Sequence, residues 1–175
     1  NLLNFTLNIV VFLIMGFVFK DFWGAFIIGW WTRVAVLSHS TYFVNSLAHM
    51  WGAKTYSREQ TAVNNAIVAF LTFGEGYHNY HHVFASDYRN GVRWWQYDPT
   101  KWLIWFMSKL GLTKDLKTID KYISRSKIVE EDKYIFLDAL KESTYERKYS
   151  LEQKVIRMSE RLIEKIINMR RTVNE

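Results

Sequence analysis

"LLNFTLNIVVFLIMGFVFKDFWGAFIIGWWTRVAVL", residues 2–37, is the stretch that decides the fold class. Residues 2–19 carry no charged side chain. A membrane-spanning helix needs about 20 largely apolar residues, with a range of about 17–25. The run therefore predicts a membrane helix. Lys20 and Asp21 interrupt it and read as a short interfacial turn. The apolar pattern then resumes over 22–37, with Phe22 and Trp23 placed to join an aromatic belt. Two apolar helices joined this tightly form a helical hairpin. Arg33 is the costly residue in it: a charge at the bilayer centre costs about 2.5–3.5 kcal/mol on insertion scales and usually faces protein. It reads as a polar contact inside a bundle of more helices, or as a side chain snorkelling from a shifted helix. Residues 38–51 hold no Gly or Pro, so the second helix is predicted over 22–51. At about 1.5 Å per residue it would be about 45 Å long. That exceeds the hydrocarbon core of about 30 Å, and Asn45 and His49 are expected to stand outside it.

Composition narrows the class further. The net charge is +6, but Lys and Arg number 8 against 5 Asp and Glu in residues 1–113, and 15 against 12 in 114–175. The excess is +3 in each part, so no concentrated basic patch of the kind nucleic acid needs is present, and no nucleic-acid partner is expected. A mild positive excess suits a surface near anionic headgroups or ordinary solubility. There is no Cys, which excludes disulfides, thiolate metal sites and a Cys nucleophile. A metal here would be held by His, Asn, Asp, Glu and water, which suits iron, zinc, copper or manganese. Residues 1–51 contain three charged residues and residues 114–175 contain 27, while all eight Trp lie between Trp23 and Trp105. An apolar part is thus followed by a charged tail. The chain opens at Asn1 inside an apolar segment, and the expectation is the C-terminal portion of a longer protein.

The remaining stretches complete a division into a hairpin (1–51), a cap (52–113) and a charged helical tail (114–175). Residues 53–60 read as a polar loop, with Ser57 and Gln60 as a capping box opening a helix over 61–82. That helix should bend or break near Gly74 and Gly76. Residues 85–101 are turn-rich and aromatic. "PTKWLIWFMSKLGL", 99–112, reads as a short amphipathic helix. Its Trp102, Trp105 and Phe106, with Lys101 and Lys109, suit either a membrane interface or core packing. In the tail, Leu151, Val155, Met158, Leu162, Ile166 and Met169 form a helical stripe at 4-3-4-4-3 spacing, which predicts a packing helix.

Three of the five histidines sit in "GEGYHNYHH", 74–82. On a helix, positions i, i+3 and i+4 share a face, so His78, His81 and His82 are predicted to point together. Converging neutral imidazoles suit a metal. Protonated, they would repel; buried without partners, they would pay for lost hydration. His49 lies one turn after Asn45 and is a candidate fourth ligand. Asn45 would coordinate directly or hold a metal-bound water. Glu75 would be a ligand, a helix cap or, as favoured here, an acceptor that orients a histidine. His39 reads as structural or substrate-side rather than as a ligand.

"NSLAHMWG", "GEGYHNYHH" and "DYRNGVRWWQYDPTKW" together resemble the C-terminal half of the membrane acyl-CoA desaturases, the stearoyl-CoA (delta-9) group, over residues 1 to about 117. Tyr80 resembles the acyl-CoA branch more than the acyl-lipid branch. The resemblance implies an all-α integral membrane protein: a four-helix bundle under a cytosolic helical cap, with residues 2–19 and 22–51 as its third and fourth helices. It implies two irons held by nine histidines and a water on an asparagine. His49, His78, His81 and His82 match ligands of that set, and Asn45 matches the water-holding asparagine. It further implies O2-dependent conversion of a saturated fatty acyl-CoA to a cis alkene, electrons from a cytochrome b5 or ferredoxin type carrier, and contact with membrane lipid. The site would face the cytosol from an endoplasmic-reticulum or bacterial inner membrane. The family's two earlier histidine boxes, with five further ligands, have no counterpart in these residues, so this stretch by itself is expected to be inactive. Another membrane di-iron oxygenase, such as a hydroxylase, or a non-catalytic membrane remnant are the alternatives.

Overall fold

The computed structural model describes residues 2–142 and 147–174. Among them the chain is helical, with two isolated β-bridges and no strand. It divides into two compact units, Asn1–Asn45 and Ser46–Glu175.

The first unit is a helical hairpin. Helix α1 (Leu2–Phe19) ends at Lys20, which takes a left-handed φ of 53°. Asp21 then caps α2 (Phe22–Gly24), its carboxylate accepting from the Gly24 amide at 2.9 Å. Phe12 of α1 packs edge-on against Phe22, Phe26 and Trp30, at 6.2, 6.3 and 6.4 Å between centroids. Gly16 leaves room for the Phe22 ring, and Gly29 for the Met15 sulfur. The expected uniform helix over 22–51 is instead wound as a π-helix over Ala25–Thr32 before α3 (Arg33–Met50). The Thr32 hydroxyl reaches back five residues to the Ile27 carbonyl at 2.8 Å, following that wider winding. Among the described residues no helix is long and apolar enough to cross a membrane. The hairpin's apolar side chains are nonetheless bare. Phe17, Val18 and Phe19 are 70, 67 and 70% exposed.

The second unit begins at the end of α3. Gly52, at φ +152°, turns the chain into a loop pinned by bridges from Asn64 to Ala53 and to Tyr77. The predicted capping box at Ser57 and Gln60 does not form, and no helix starts at 61. Residues 63–65 spend their amides elsewhere: Val63 N–H on the Ala48 carbonyl (2.8 Å), Asn64 on Ala53 (2.8 Å) and Asn65 on Gly76 (2.9 Å). Helix α4 (Ala66–Leu71) starts only where the Asn65 side chain accepts from the amides of Ile67 and Val68. The predicted break at the glycines is present. Gly74 has φ +109° with Asp98 against it, and Gly76 lies against the Ala69 backbone. The histidine box follows as the short helix α5 (His78–Val83).

Helix α6 (Pro99–Lys109) is capped by Asp98, which accepts from the Lys101 amide at 2.9 Å. Trp102, Trp105 and Phe106 are exposed as an interfacial face requires, but Lys101 is not. Its ammonium is buried and donates to the carbonyls of Gly91 (2.7 Å), Arg93 (3.2 Å) and Gln96 (3.3 Å), closing the loop before α6.

The tail forms α7 (Lys121–Lys141) and α8 (Lys148–Asn174), which pack on each other. The predicted stripe on α8 is covered only in part: Leu151, Val155 and Ile166 are half-buried. Met158, Leu162 and Met169 are 53, 48 and 49% exposed, whereas Ser159 is 6% exposed. Ile156 and Ile163, outside the stripe, are half-buried as well. The tail is bonded to the cap. Glu131 accepts from the Arg58 amide at 3.0 Å and Arg58 pairs with Asp138 at 2.7 Å; within the tail, Arg170 pairs with Asp120 at 3.1 Å.

Candidate metal centre

Two elements carry the site. His49 comes from the last turn of α3, and His78, His81 and His82 from α5. The box can approach α3 because the two glycines before it allow a turn no side chain could make. Gly76 passes against the Ala69 backbone, where a Cβ has no space.

The residues between the histidines anchor the box. Asn79 is fully buried. Its amide oxygen accepts from Tyr56 N–H (2.7 Å) and Ser57 N–H (3.3 Å), and its amide nitrogen donates to the carbonyls of Ser57 (2.8 Å) and Ala62 (3.0 Å). The buried Tyr80 hydroxyl donates to Asp87 at 2.7 Å. Burial and then the Asp87 contact push the Tyr80 pKa up. Burial pushes the Asp87 carboxyl up, but the Arg89 guanidinium and the amides of Ile119 and Arg89 outweigh it, so its pKa lies below the usual value. Asn79 and Tyr80 thus occupy the face of α5 turned into the cap. Sequence reasoning missed both, although polar residues between ligand positions, facing the opposite side of a helix, were the available signal.

Three histidines converge. His49, His78 and His82 offer nitrogens that all lie within 4.8 Å of one another. The Nε2 atoms of His78 and His82 are 3.0 Å apart. The His49 ring lies 4.9 Å from His78 and 5.7 Å from His82, centroid to centroid. Its Nδ1 is 2.9 Å from the Thr61 hydroxyl. His81 stands to one side, 6.0 Å from His78 and 6.1 Å from His82 between centroids. Adjacent residues on a helix point about 100° apart at 3.6 residues per turn. His82 therefore closes on His78, and His81 does not.

The donor set fits a transition metal. Two nitrogens each about 2.1 Å from one ion are about 3 Å apart when they meet it at a right angle, as the Nε2 pair is. Burial, with His82, His49 and His81 close by, lowers the His78 pKa from 6.5 to about 4. Burial, His49 and His81 lower that of His82 as well. Both shifts favour the neutral, lone-pair-bearing form of His78 and His82 that binds metal. The Nδ1 atoms of His78 and His81 are buried without a hydrogen-bond partner among the described residues.

The other candidates lie elsewhere. The Glu75 carboxylate accepts from the Asn90 side chain at 2.9 Å. His39 is exposed and bonds its own helix at the Ala35 carbonyl, 2.8 Å away. Asn45 is an exposed residue of α3 belonging to the first unit.

An all-histidine donor set shared between the end of α3 and a short glycine-hinged helix, in a helical chain without cysteine, marks a histidine-box protein. The family model for fatty acid desaturases matches residues 2–113, and the chain belongs to that family. It is 40% identical over 131 residues to acyl-CoA desaturase 1 of Saccharomyces cerevisiae, covering 75% of this chain and 26% of that protein. It is 40% identical over 124 residues to a probable acyl-CoA desaturase of Schizosaccharomyces pombe, covering 70% and 26%. It is 39% identical over 116 residues to the sn-1 stearoyl-lipid 9-desaturase of Synechocystis sp., covering 66% and 35%. The chain therefore spans about a quarter to a third of the length of these relatives.

Proposed function

We propose that this chain forms part of the metal centre of a di-iron acyl-CoA desaturase that places a cis double bond, at the delta-9 position, in a saturated acyl chain. The observation that carries the reading is the convergence of His49, His78 and His82, whose ring nitrogens lie within 4.8 Å of one another. His81 joins the ligand set from beside His78 and His82, and Asn45 holds a water. The remaining ligands come from polypeptide outside these residues, in keeping with the fraction of each relative the chain spans. Iron supplies the oxidising power that an unactivated C–H bond demands. The balance is one O2, two electrons and two protons consumed for each alkene, with two waters released. A cytochrome b5 or ferredoxin type carrier supplies the electrons. The protein's own part is to hold the rings. Asn79 and Tyr80 fix α5 from behind, and burial keeps His78 unprotonated. The bare apolar side chains of α1 support contact with membrane lipid, and the reading includes an endoplasmic-reticulum or bacterial inner membrane with the centre on the cytosolic side.

The test uses the full-length protein in a host unable to make unsaturated fatty acids. Wild type should yield a cis-monounsaturated product, and His78→Ala or His82→Ala should abolish it and lower the iron content. Wild-type product from either variant would sink the site assignment. A hydroxylated product from wild type would replace desaturation by hydroxylation.

A further inference from the structure

His49 is the isolated member of the group. His78 and His82 orient each other through one helical turn, but α3 leaves the His49 ring free to rotate about two bonds. In the structure the ring lies beside those of His78 and His82, and its Nδ1 is 2.9 Å from the Thr61 hydroxyl. A neutral imidazole has one N–H and one lone pair. For Nε2 to offer its lone pair to a metal, the proton must reside on Nδ1 and donate. The Thr61 oxygen is the acceptor in place for it.

Thr61 is itself delivered by both elements of the site. Two residues on, the Val63 amide donates to the Ala48 carbonyl of α3 at 2.8 Å. One residue on, the Ala62 carbonyl accepts from Asn79 of α5 at 3.0 Å. Asn79 also holds the near end of the same loop, at Tyr56 and Ser57. The loop is thus bonded at one side to the helix carrying His49 and at the other to the helix carrying His78 and His82.

We infer that Thr61 is a positioning residue. Its hydroxyl sets the tautomer and the plane of His49, and loop 56–63 is the bracket that registers His49 against the α5 pair. The inference rests on the metal-centre reading above. Groups that orient a metal-bound histidine in this way typically alter metal affinity about 10–100-fold when removed.

The experiment compares Thr61→Val, Thr61→Ser and His49→Ala with wild type in the full-length, iron-loaded protein. It reads the rate of iron loss to a chelator, and thermal melting with and without metal. Thr61 is exposed, so neither substitution disturbs a packed core. Thr61→Val should lose iron about 10–100-fold faster, Thr61→Ser should restore retention, and the metal-free melting temperature should stay constant across both. Wild-type retention in Thr61→Val would overturn the role. So would failure of Ser to rescue, or an equal loss of melting temperature with and without metal. His49→Ala separates the two readings. If it too retains iron, His49 is not a ligand and the metal-centre assignment falls. If it loses iron while Thr61→Val does not, only the positioning role falls.

Discussion

His78 makes the link between burial and chemistry at the scale of one residue. Its pKa is lowered to about 4 by burial and by the three neighbouring imidazoles, against 6.5 in an unfolded chain. Between those values the unfolded chain takes up a proton that the fold refuses. The metal-free fold is therefore at full stability above pH 6.5 and loses stability as pH falls toward 4. Denaturant melts of the metal-free protein at pH 7.5, 6 and 5 should show a falling midpoint, and His78→Gln should flatten the trend. A wild-type midpoint independent of pH would contradict the burial argument. Two glycines give a contrast at the same scale. Gly76→Ala drives a Cβ into the Ala69 backbone, an overpacking worth about 1–3 kcal/mol or more, and it should speed iron loss because the box must move. Gly111→Ala meets no atom within 4 Å but sits at φ +73°. It should cost about 1–2 kcal/mol for its left-handed backbone and leave iron retention unchanged.

Among the elements, the loop between α3 and α4 matters most, because the sequence pattern alone leads to the wrong structure there. Ser57 and Gln60 have the spacing of a capping box, yet the Ser57 amide goes to Asn79 and residues 63–65 pair with three separate stretches of chain. Local capping is worth about 1 kcal/mol, and several tertiary hydrogen bonds outweigh it. Asn79 anchors that arrangement. Asn79→Ala would leave the buried carbonyls of Ser57 and Ala62 and the amides of Tyr56 and Ser57 without partners. At about 1–3 kcal/mol for each buried unsatisfied group, the variant should lose at least about 3 kcal/mol. Amide exchange should rise at residues 56–63 before it rises in α6; uniform exchange over the whole cap would contradict the bracket.

At the level of the whole molecule, the tail is fastened to the cap in two places. Residues 117–119 are bonded to 87–89, through the Tyr88 amide on Lys117 and the Ile119 amide on Asp87. Helix α7 supplies Glu131 to the Arg58 amide. Truncation after Asp120 keeps the first attachment and removes the second. Exchange protection should fall at Arg58 and its neighbours and persist at 88–98; protection at Arg58 equal to wild type would show that α7 does not hold the loop. The hairpin's exposed apolar side chains belong to the same scale. Under the membrane reading proposed above, the full-length protein should stay in the pellet after an alkaline carbonate wash. Recovery in the supernatant would count against that reading.

Residues 2–37 and 74–82 carried most of what was legible in the sequence: helical class, a hairpin turning at Lys20 and Asp21, a break at Gly74 and Gly76, and a histidine group near His49. Such features rest on periodicity, glycine and side-chain chemistry, which are local properties of a sequence. Tertiary structure decided the rest. It left Met158, Leu162 and Met169 of the α8 stripe exposed while half-burying Ile156 and Ile163 beside the rest of it, because only packing on α7 selects which residues are covered. It buried Lys101 under three carbonyls that come from a loop remote from its helical pattern. It placed His82 on His78 with His81 to one side, and brought Thr61 to His49. Those outcomes depend on where separate stretches of backbone meet, and a hydrogen bond between residues 12 apart in sequence leaves no mark in the periodicity of either.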